Sequence, residues 1–343
     1  MYADCSVVIP TIEERVSQLY GLLNQLVKCV EKPGEVIIVS DGIVEESLLD
    51  KIVAAYESEG IRLKLIKTTK GLTTSAHRNI GLKVASRKYI LFIDDDILPK
   101  TNWLSEMRKT LNNGADVVGG SSEALFVKGT KPPLWWDEAL LGGYVAVGNS
   151  YISAKTGAIW SCNLAIRKEM TKKITFDEAI GLRRGTNIYG EDAKFVKRAI
   201  SCGANVVFNS RAIVHHKINE RRLRFEYQKT RALHEGFSLR IVFGFNIQMI
   251  LKYMIIKFLR GIHLSLWHRR KTIPLLVYLL FSLCEGVGWL ECVFERLSIS
   301  KACYEDGKLV IEEAEQAMKK GVWNMLRFER ARNSVRHQQL DLG

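Results

Sequence analysis

The seven cysteines of this 343-residue chain, at 5, 29, 162, 202, 284, 292 and 303, form no CxxC pair. An odd, scattered set does not suggest a disulfide framework and fits reduced thiols in a reducing compartment. The first residues, Met1-Tyr-Ala-Asp-Cys5, lack the basic and apolar stretches of a signal peptide, so a cytosol-facing protein is expected. No GxGxxG follows the first apolar run, and neither GxxxxGKS/T nor GxSxG occurs. These absences argue against dinucleotide redox chemistry, P-loop phosphoryl transfer and nucleophile-elbow hydrolysis. Internal repeats and low-complexity tracts are also missing. With 47% hydrophobic and 25% charged residues, the chain is too apolar to be disordered.

Charge of one sign is in excess. The net charge is +13, and 13 basic residues lie between Lys217 and Lys271 against only Glu220, Glu226 and Glu235. Such a block draws anionic partners: phosphates, nucleic acid or acidic lipid. Its basic residues are interleaved with Leu, Ile and Phe at helical spacing and no nucleic-acid motif accompanies them, so nucleic acid is not the expected partner.

The first hundred residues alternate between two hydrophobic periods. Short β-branched runs at Ser6–Ile9, Glu35–Val39, Leu63–Ile66 and Tyr89–Ile93 are separated by helical-period segments at Val16–Val30, Glu46–Glu59 and Thr74–Ala85. This order predicts βαβ units and a largely parallel, Rossmann-like sheet flanked by helices, an α/β fold. Ligands of such sheets bind beyond the carboxyl ends of the strands, which points to Pro10-Thr11, Ser40-Asp41-Gly42 and Asp94-Asp95-Asp96. Further strands are expected at Asp116–Gly120 and Ala204–Phe208, and a long functional loop at 128–160. Trp135-Trp136 within that loop reads equally as loop core or as a sugar-stacking platform.

Three consecutive carboxylates at the end of a buried strand repel one another unless a cation or hydrogen bonds neutralise them. Mg²⁺ or Mn²⁺ does so while leaving positions for substrate phosphates. A second acidic pair, Glu191-Asp192, follows Gly190 and enters the first turn of a helix predicted over 191–202. The helix dipole there favours the ionised form that a base requires, and plain helix capping explains the pair alone equally well. Together, the triplet and the later pair have the layout of a metal site with a separate base.

Several motifs in order over positions 5 to 236 resemble glycosyltransferase family 2, whose members have the glycosyltransferase-A fold. Ser6–Thr11 resembles its opening strand and Val36–Gly42 its second strand, where Asp41 would hold the nucleobase. Gly71–Gly81 is similar to the helix whose arginine, here Arg78, approaches the donor. Asp94–Asp96 takes the place of the DxD motif. Ser161–Arg167 resembles the acceptor-side segment, Phe176–Glu178 through Gly190–Asp192 the run with the base, and Val214–His216 the place where a histidine completes metal coordination. The resemblance implies an inverting, metal-dependent transfer from a UDP-, GDP- or dTDP-sugar. Asp94 and Asp96 with His215 or His216 would hold Mg²⁺ or Mn²⁺. Pro10, Thr11, Glu13, Asp41, Arg78, Asp94 and Asp95 would border the donor, Arg183 or Arg184 would add positive charge, and Asp192 with Glu191 would supply the base. Two features depart from the pattern: Ser40 stands where many members have a second Asp, and Gln228-Lys-Thr-Arg231 is followed by Ala232 rather than the Trp of processive synthases. A nucleotidyltransferase of related fold is the alternative, although Thr11-Ile-Glu-Glu14 is acidic where such an enzyme has a basic, Gly-rich loop.

The expected organisation is a catalytic domain over 1–236, an apolar and basic helical region over 237–300 and a charged helical tail over 301–343. Apolar residues at 247, 250, 251, 254, 255, 258, 259 and 262 form a helical stripe. Thr272 to Cys284 is uncharged for 13 residues before Glu285 stops it, short of the about 20 that a spanning helix needs. Beside it stand Arg269-Arg-Lys271. This pairing predicts a monotopic association with the anionic cytoplasmic face of the cell membrane and a lipid-linked or glycan acceptor. The competing expectation is a subdomain packed on the catalytic core or on a second copy of the chain.

Overall fold

The computed structural model of the chain describes residues 2–42, 53–137, 159–183, 186–244, 246–267, 272–293 and the pairs 304–305 and 308–309. Arg184, Arg269, Arg270 and Lys271, the first part of the helix expected from Glu46, most of the 128–160 loop and nearly all of the 301–343 tail lie outside the described residues.

The chain begins with strand β1 (Tyr2–Ile12), helix α1 (Val16–Leu26), β2 (Lys32–Asp41), a helical segment α2 (53–58) and β3 (Arg62–Thr68). Next come α3 (Thr74–Val84), β4 (Tyr89–Ile93), β5 (Ile97–Pro99), α4 (Trp103–Asn112) and β6 (Val117–Phe126). After the 138–158 stretch follow β7 (Asn163–Arg167), a small hairpin of β8 (Gly181–Arg183) and β9 (Thr186–Ile188), α5 (Glu191–Ser201) and β10 (Val206–Ile218). Three long helices succeed them: α6 (Phe225–Phe243), α7 (Ile247–Trp267) and α8 (Thr272–Val293).

Eight strands form one sheet in the order β3-β2-β1-β4-β7-β6-β10-β5. The β-branched runs of β1, β2 and β4 are buried on both faces, as parallel strands between helical layers must be. β3, β2, β1 and β4 run parallel, as the alternation of periods predicts. β7 then enters antiparallel between β4 and β6, β10 is parallel to β6, and the short β5 is antiparallel to β10. The far half of the sheet is therefore more mixed than a plain βαβ reading. The junction is tied by buried Asn163, whose Nδ2 donates to the carbonyls of Ser121 (2.7 Å) and Ala212 (2.9 Å) and whose Oδ1 accepts from Trp103 Nε1 at 2.7 Å.

Two apolar clusters fill the two faces of the sheet, one under α1 and α4, the other under α3 and α5. A third joins the ends of β6 and β10 to α6 and α8 around Ile218, Leu223, Ala232, Tyr278 and Phe281. Trp135 sits edge-on to Phe225 and Phe281, and Trp136 edge-on to Phe126, so this pair belongs to that third core. α6 and α8 cross at contact distance. A Cβ on Gly288 would lie 1.9 Å from the Leu233 carbonyl oxygen, and one on Gly236 would lie 1.7 Å from that of Glu285.

Glu285 does not stop the apolar run. α8 continues through it to Val293, because its fully buried carboxylate accepts from Tyr253 Oη at 2.8 Å and pairs with Lys257 on α7. Thr272–Leu290 is consequently long and apolar enough to cross a membrane by length and composition, and 56% of it is buried inside the protein. The opposite side of the α7–α8 pair is exposed and apolar: Leu251, Ile255, Phe258 and Leu259 on α7, with Leu276, Leu283 and Val287 on α8.

Candidate active site

The register of the first strands brings their carboxyl ends to one level. Ile12 pairs with Asp41, and Asp41 with Thr68. Pro10 and Thr11 are buried in the last turn of β1, and Asp41 is buried at the end of β2, where its Oδ2 accepts from the Gly71 amide at 3.3 Å. Thr68 Oγ1 and His77 Nε2 lie 3.0 Å apart beside it, and Lys70 pairs with Glu13 at 3.0 Å over the rim. This corner can receive a planar polar group with both donors and acceptors.

The turn after β4 carries Asp94, Asp95 and Asp96, closed by the Ile97 amide donating to the Asp94 carbonyl. Each aspartate meets a different arginine. Asp94 takes Arg78 Nη2 at 2.8 Å, Asp95 takes Arg15 Nη1 at 3.0 Å together with Thr11 Oγ1 at 2.8 Å, and Asp96 takes Arg222 Nη2 at 2.9 Å. Burial disfavours ionisation of all buried carboxylates. For Asp95 it prevails over Arg15 and the pKa is raised. For Asp96 it is outweighed by His216, Arg222 and Arg15, and the pKa falls well below the carboxylate range.

The two histidines part company because successive residues of a strand face opposite ways. His216 is buried with Nε2 at 3.9 Å from Asp96 Oδ2, whereas His215 Nε2 lies 3.3 Å from Glu123 on the other side of the sheet. Burial and Arg222 outweigh Asp96 and lower the His216 pKa to about 4, leaving a neutral imidazole. Two carboxylates and one neutral imidazole are a donor set suited to Mn²⁺ or Mg²⁺. Among the described residues no three His, Cys, Asp or Glu side chains are arranged to hold an ion as they stand. At Asp94 and Asp96 an arginine already holds one oxygen of each carboxylate, Oδ1 and Oδ2 respectively, so a cation would bond beside it or in its place.

Arg78 connects this triplet to the second acidic pair. Thr73 caps α3, its Oγ1 accepting from the Ala76 amide at 3.2 Å. Arg78, at the start of the second turn, is buried with Nη1 at 3.4 Å from Glu191 and its guanidinium 5.6 Å from the centre of the Phe176 ring. Phe176 is stacked on Phe195 at 4.3 Å, which fixes the floor beneath the arginine. Gly190, at φ 106°, turns the chain into α5. Glu191 and Asp192 follow in its first turn. Burial, with the two carboxylates beside each other, raises the Glu191 pKa against Arg78 and the helix dipole. Burial raises that of Asp192 too, against Arg78 and a hydrogen bond from Ser161. The dipole argument alone predicts lowered proton affinity, and desolvation outweighs it in both acids. Asp192 Oδ1 is buried and has no hydrogen-bond partner among the described residues.

Arg15, Ser161, His77 and Arg222 are site residues that the sequence reading does not single out for these contacts. Arg15 follows two glutamates, and Arg222 is one of a dense basic run. Arg183 lies on β8, and its side chain is outside the described set.

The arrangement brings together a polar corner at the ends of β1 and β2, an acid–arginine cluster after β4 and a second pair of carboxylates at the start of α5. Residues 6–175 match the profile of Glycosyl transferase family 2, and the chain belongs to that family through this segment. Over 244 residues it is 23% identical to the glucosyl-dolichyl phosphate glucuronosyltransferase of Haloferax volcanii, covering 69% of this chain and 76% of that one. It is also 23% identical to the glycosyltransferase AglE of the same organism over 208 residues, covering 59% and 63% of the two chains. Among solved structures, S. aureus TarS 1-349 in complex with UDP-GlcNAc aligns with a TM-score of 0.46 at 18% identity, covering 90% of this chain and 97% of that one.

Proposed function

We propose that the enzyme transfers a sugar from a nucleotide-diphosphate donor to the hydroxyl of a lipid-linked or glycan acceptor at the cytoplasmic membrane face, with inversion. The unpartnered, buried Asp192 Oδ1 carries the reading: a carboxylate held by Ser161 on one side has an empty acceptor position on the other. The acceptor hydroxyl would donate there. As its oxygen bonds to the anomeric carbon, the bond to the diphosphate oxygen breaks and the proton passes to Asp192. The raised proton affinity of Asp192 makes it a stronger base than a solvated carboxylate, and positioned bases typically contribute ~10²–10⁴-fold.

Asp41, with Thr68 and His77 beside it, suits the nucleobase, and Arg78 stands toward the diphosphate. Asp94, Asp96 and His216 would hold Mg²⁺ or Mn²⁺, which when bound supplies positive charge to the leaving diphosphate. His215 faces Glu123 and is assigned no role there.

For the acceptor, the support is the exposed apolar face of α7 and α8, next to exposed Lys252. An interfacial helix pair combines these features. One relative's name specifies a dolichyl-phosphate-linked substrate, in keeping with a membrane-borne acceptor.

Turnover of the full chain over UDP-, GDP- and dTDP-sugars, with a lipid-linked acceptor and with or without chelator, tests the reading. Donor-dependent transfer lost in chelator and restored by Mn²⁺ or Mg²⁺ is expected. Full activity in excess chelator would remove the metal assignment, and no transfer with any sugar nucleotide would remove the donor class.

A further inference from the structure

Of the three arginines on the acidic turn, Arg78 is clamped between Asp94 and Glu191, and Arg15 holds Asp95 beside Thr11. Arg222 is placed differently. It sits on the short 3-10 turn Glu220–Leu223 between β10 and α6. Its backbone is pinned on both sides: the amide donates to Asn219 Oδ1 at 3.1 Å, and the carbonyl accepts from Nε2 of the fully buried Gln228. Its guanidinium, one-fifth exposed, reaches Asp96 Oδ2 at 2.9 Å. An anchored backbone with a partly exposed cationic tip has a fixed reach and can meet a second anion from the solvent side.

We propose that Arg222 is shared between two anions, neutralising Asp96 while the donor is absent and taking the donor's diphosphate when a divalent ion claims Asp96. The proposal rests on the reading of Asp96 as a metal ligand. A dication and a guanidinium at neighbouring positions of one carboxylate repel. An ion that claims Asp96 therefore loosens the hold of Asp96 on Arg222, and the diphosphate that it accompanies is the alternative anion. Arginine's planar fork matches phosphate oxygens in pairs. Gln228 then becomes a positioning residue that acts through the Arg222 carbonyl.

The test uses the full chain with Mn²⁺ alone and with inorganic pyrophosphate, with and without Mn²⁺, followed by titration calorimetry. For Arg222→Gln, Mn²⁺ alone should bind about tenfold more tightly and pyrophosphate about tenfold more weakly, the weight of one charge-assisted hydrogen bond. Arg222→Lys should recover part of the pyrophosphate affinity, since it restores charge without the fork. A wild-type far-UV circular dichroism spectrum with a single cooperative unfolding transition serves as the folding control. Wild-type affinity for both probes in a folded Arg222→Gln protein would overturn the proposal, as would weaker Mn²⁺ binding. If the wild type itself bound no Mn²⁺, the metal assignment would fall by that result alone. The pyrophosphate arm would then decide: loss in Arg222→Gln supports the diphosphate contact, and equal binding overturns it.

Discussion

Two regions of this molecule bury acids against bases, and they do it to opposite ends. In the helical region, Glu285 is fully enclosed with Lys257 and Tyr253, and the pair lets α8 keep its course through an otherwise apolar segment. In the catalytic region, Asp94, Asp95 and Asp96 face three arginines whose exposure runs from 3% for the Arg78 side chain to 41% for Arg15. The sealed pair serves the fold, because neither partner can leave without abandoning a buried charge. The pairs made by Arg15 and Arg222 hold charges in readiness, because a partly exposed arginine can be exchanged for another cation. Burial alone does not distinguish a structural ion pair from a functional one. Access to a second partner does.

Breaking the open region should have the largest effect. Asp192→Asn should lower kcat by ~10²–10⁴-fold with donor affinity within a few-fold, since the amide cannot take the proton. Single-turnover rates beside equilibrium donor binding measure the two separately, and near wild-type turnover would pass the base role to Glu191. Breaking the sealed pair should be felt in stability. Lys257→Met strands the Glu285 carboxylate and should cost about 3–5 kcal/mol, while adding Glu285→Leu should return most of it. Urea unfolding of the single and double variants reads this, and a double variant as unstable as the single one would contradict the sealed-pair account.

The surface beside that pair comes next. Phe258→Glu together with Leu276→Glu should reduce flotation with anionic liposomes by roughly 10-fold or more, as expected from the loss of two apolar side chains from a lipid contact. Equal flotation of variant and wild type would return α7 and α8 to a purely packing role. The smallest contrast is between neighbours. His216→Ala should weaken Mn²⁺ binding by roughly 10-fold, the scale of a perturbed metal shell, whereas His215→Ala should leave it unchanged. A reversed result would mean that the strand presents its other face to the metal.

The strand-end acids were legible because parallel strands must finish where their ligands bind, so Asp41 and Asp94–Asp96 are marked by position as well as type. Asp192 was legible as an acid in a first helical turn, but its proton affinity was not, since desolvation depends on Phe176, Ser161 and Arg78 arriving from elsewhere. Arg15 and Arg222 were hidden for the converse reason. A basic residue in a charged run gives no sign of which carboxylate it will meet, and Arg222 is 126 positions from Asp96. The antiparallel entry of β7 has no local signature, since Asn163–Arg167 reads as any short apolar strand. Glu285 looked like a stop because its neutralising lysine lies on the preceding helix. The Trp135-Trp136 pair is ambiguous in sequence because Phe225 and Phe281, which meet its first ring edge-on, lie far along the chain.

The span of Arg78 has a consequence of its own. One guanidinium touches Asp94 on one side and Glu191 on the other, and Asp94 is near enough to influence Asp192. Protonation in such an assembly is a property of the whole set, divided among its members by whichever charges are present at the time. A change of charge near Asp94 thus alters the proton affinity of the Glu191–Asp192 pair. The pH profile of this enzyme should accordingly describe a collective titration rather than the ionisation of any single acid.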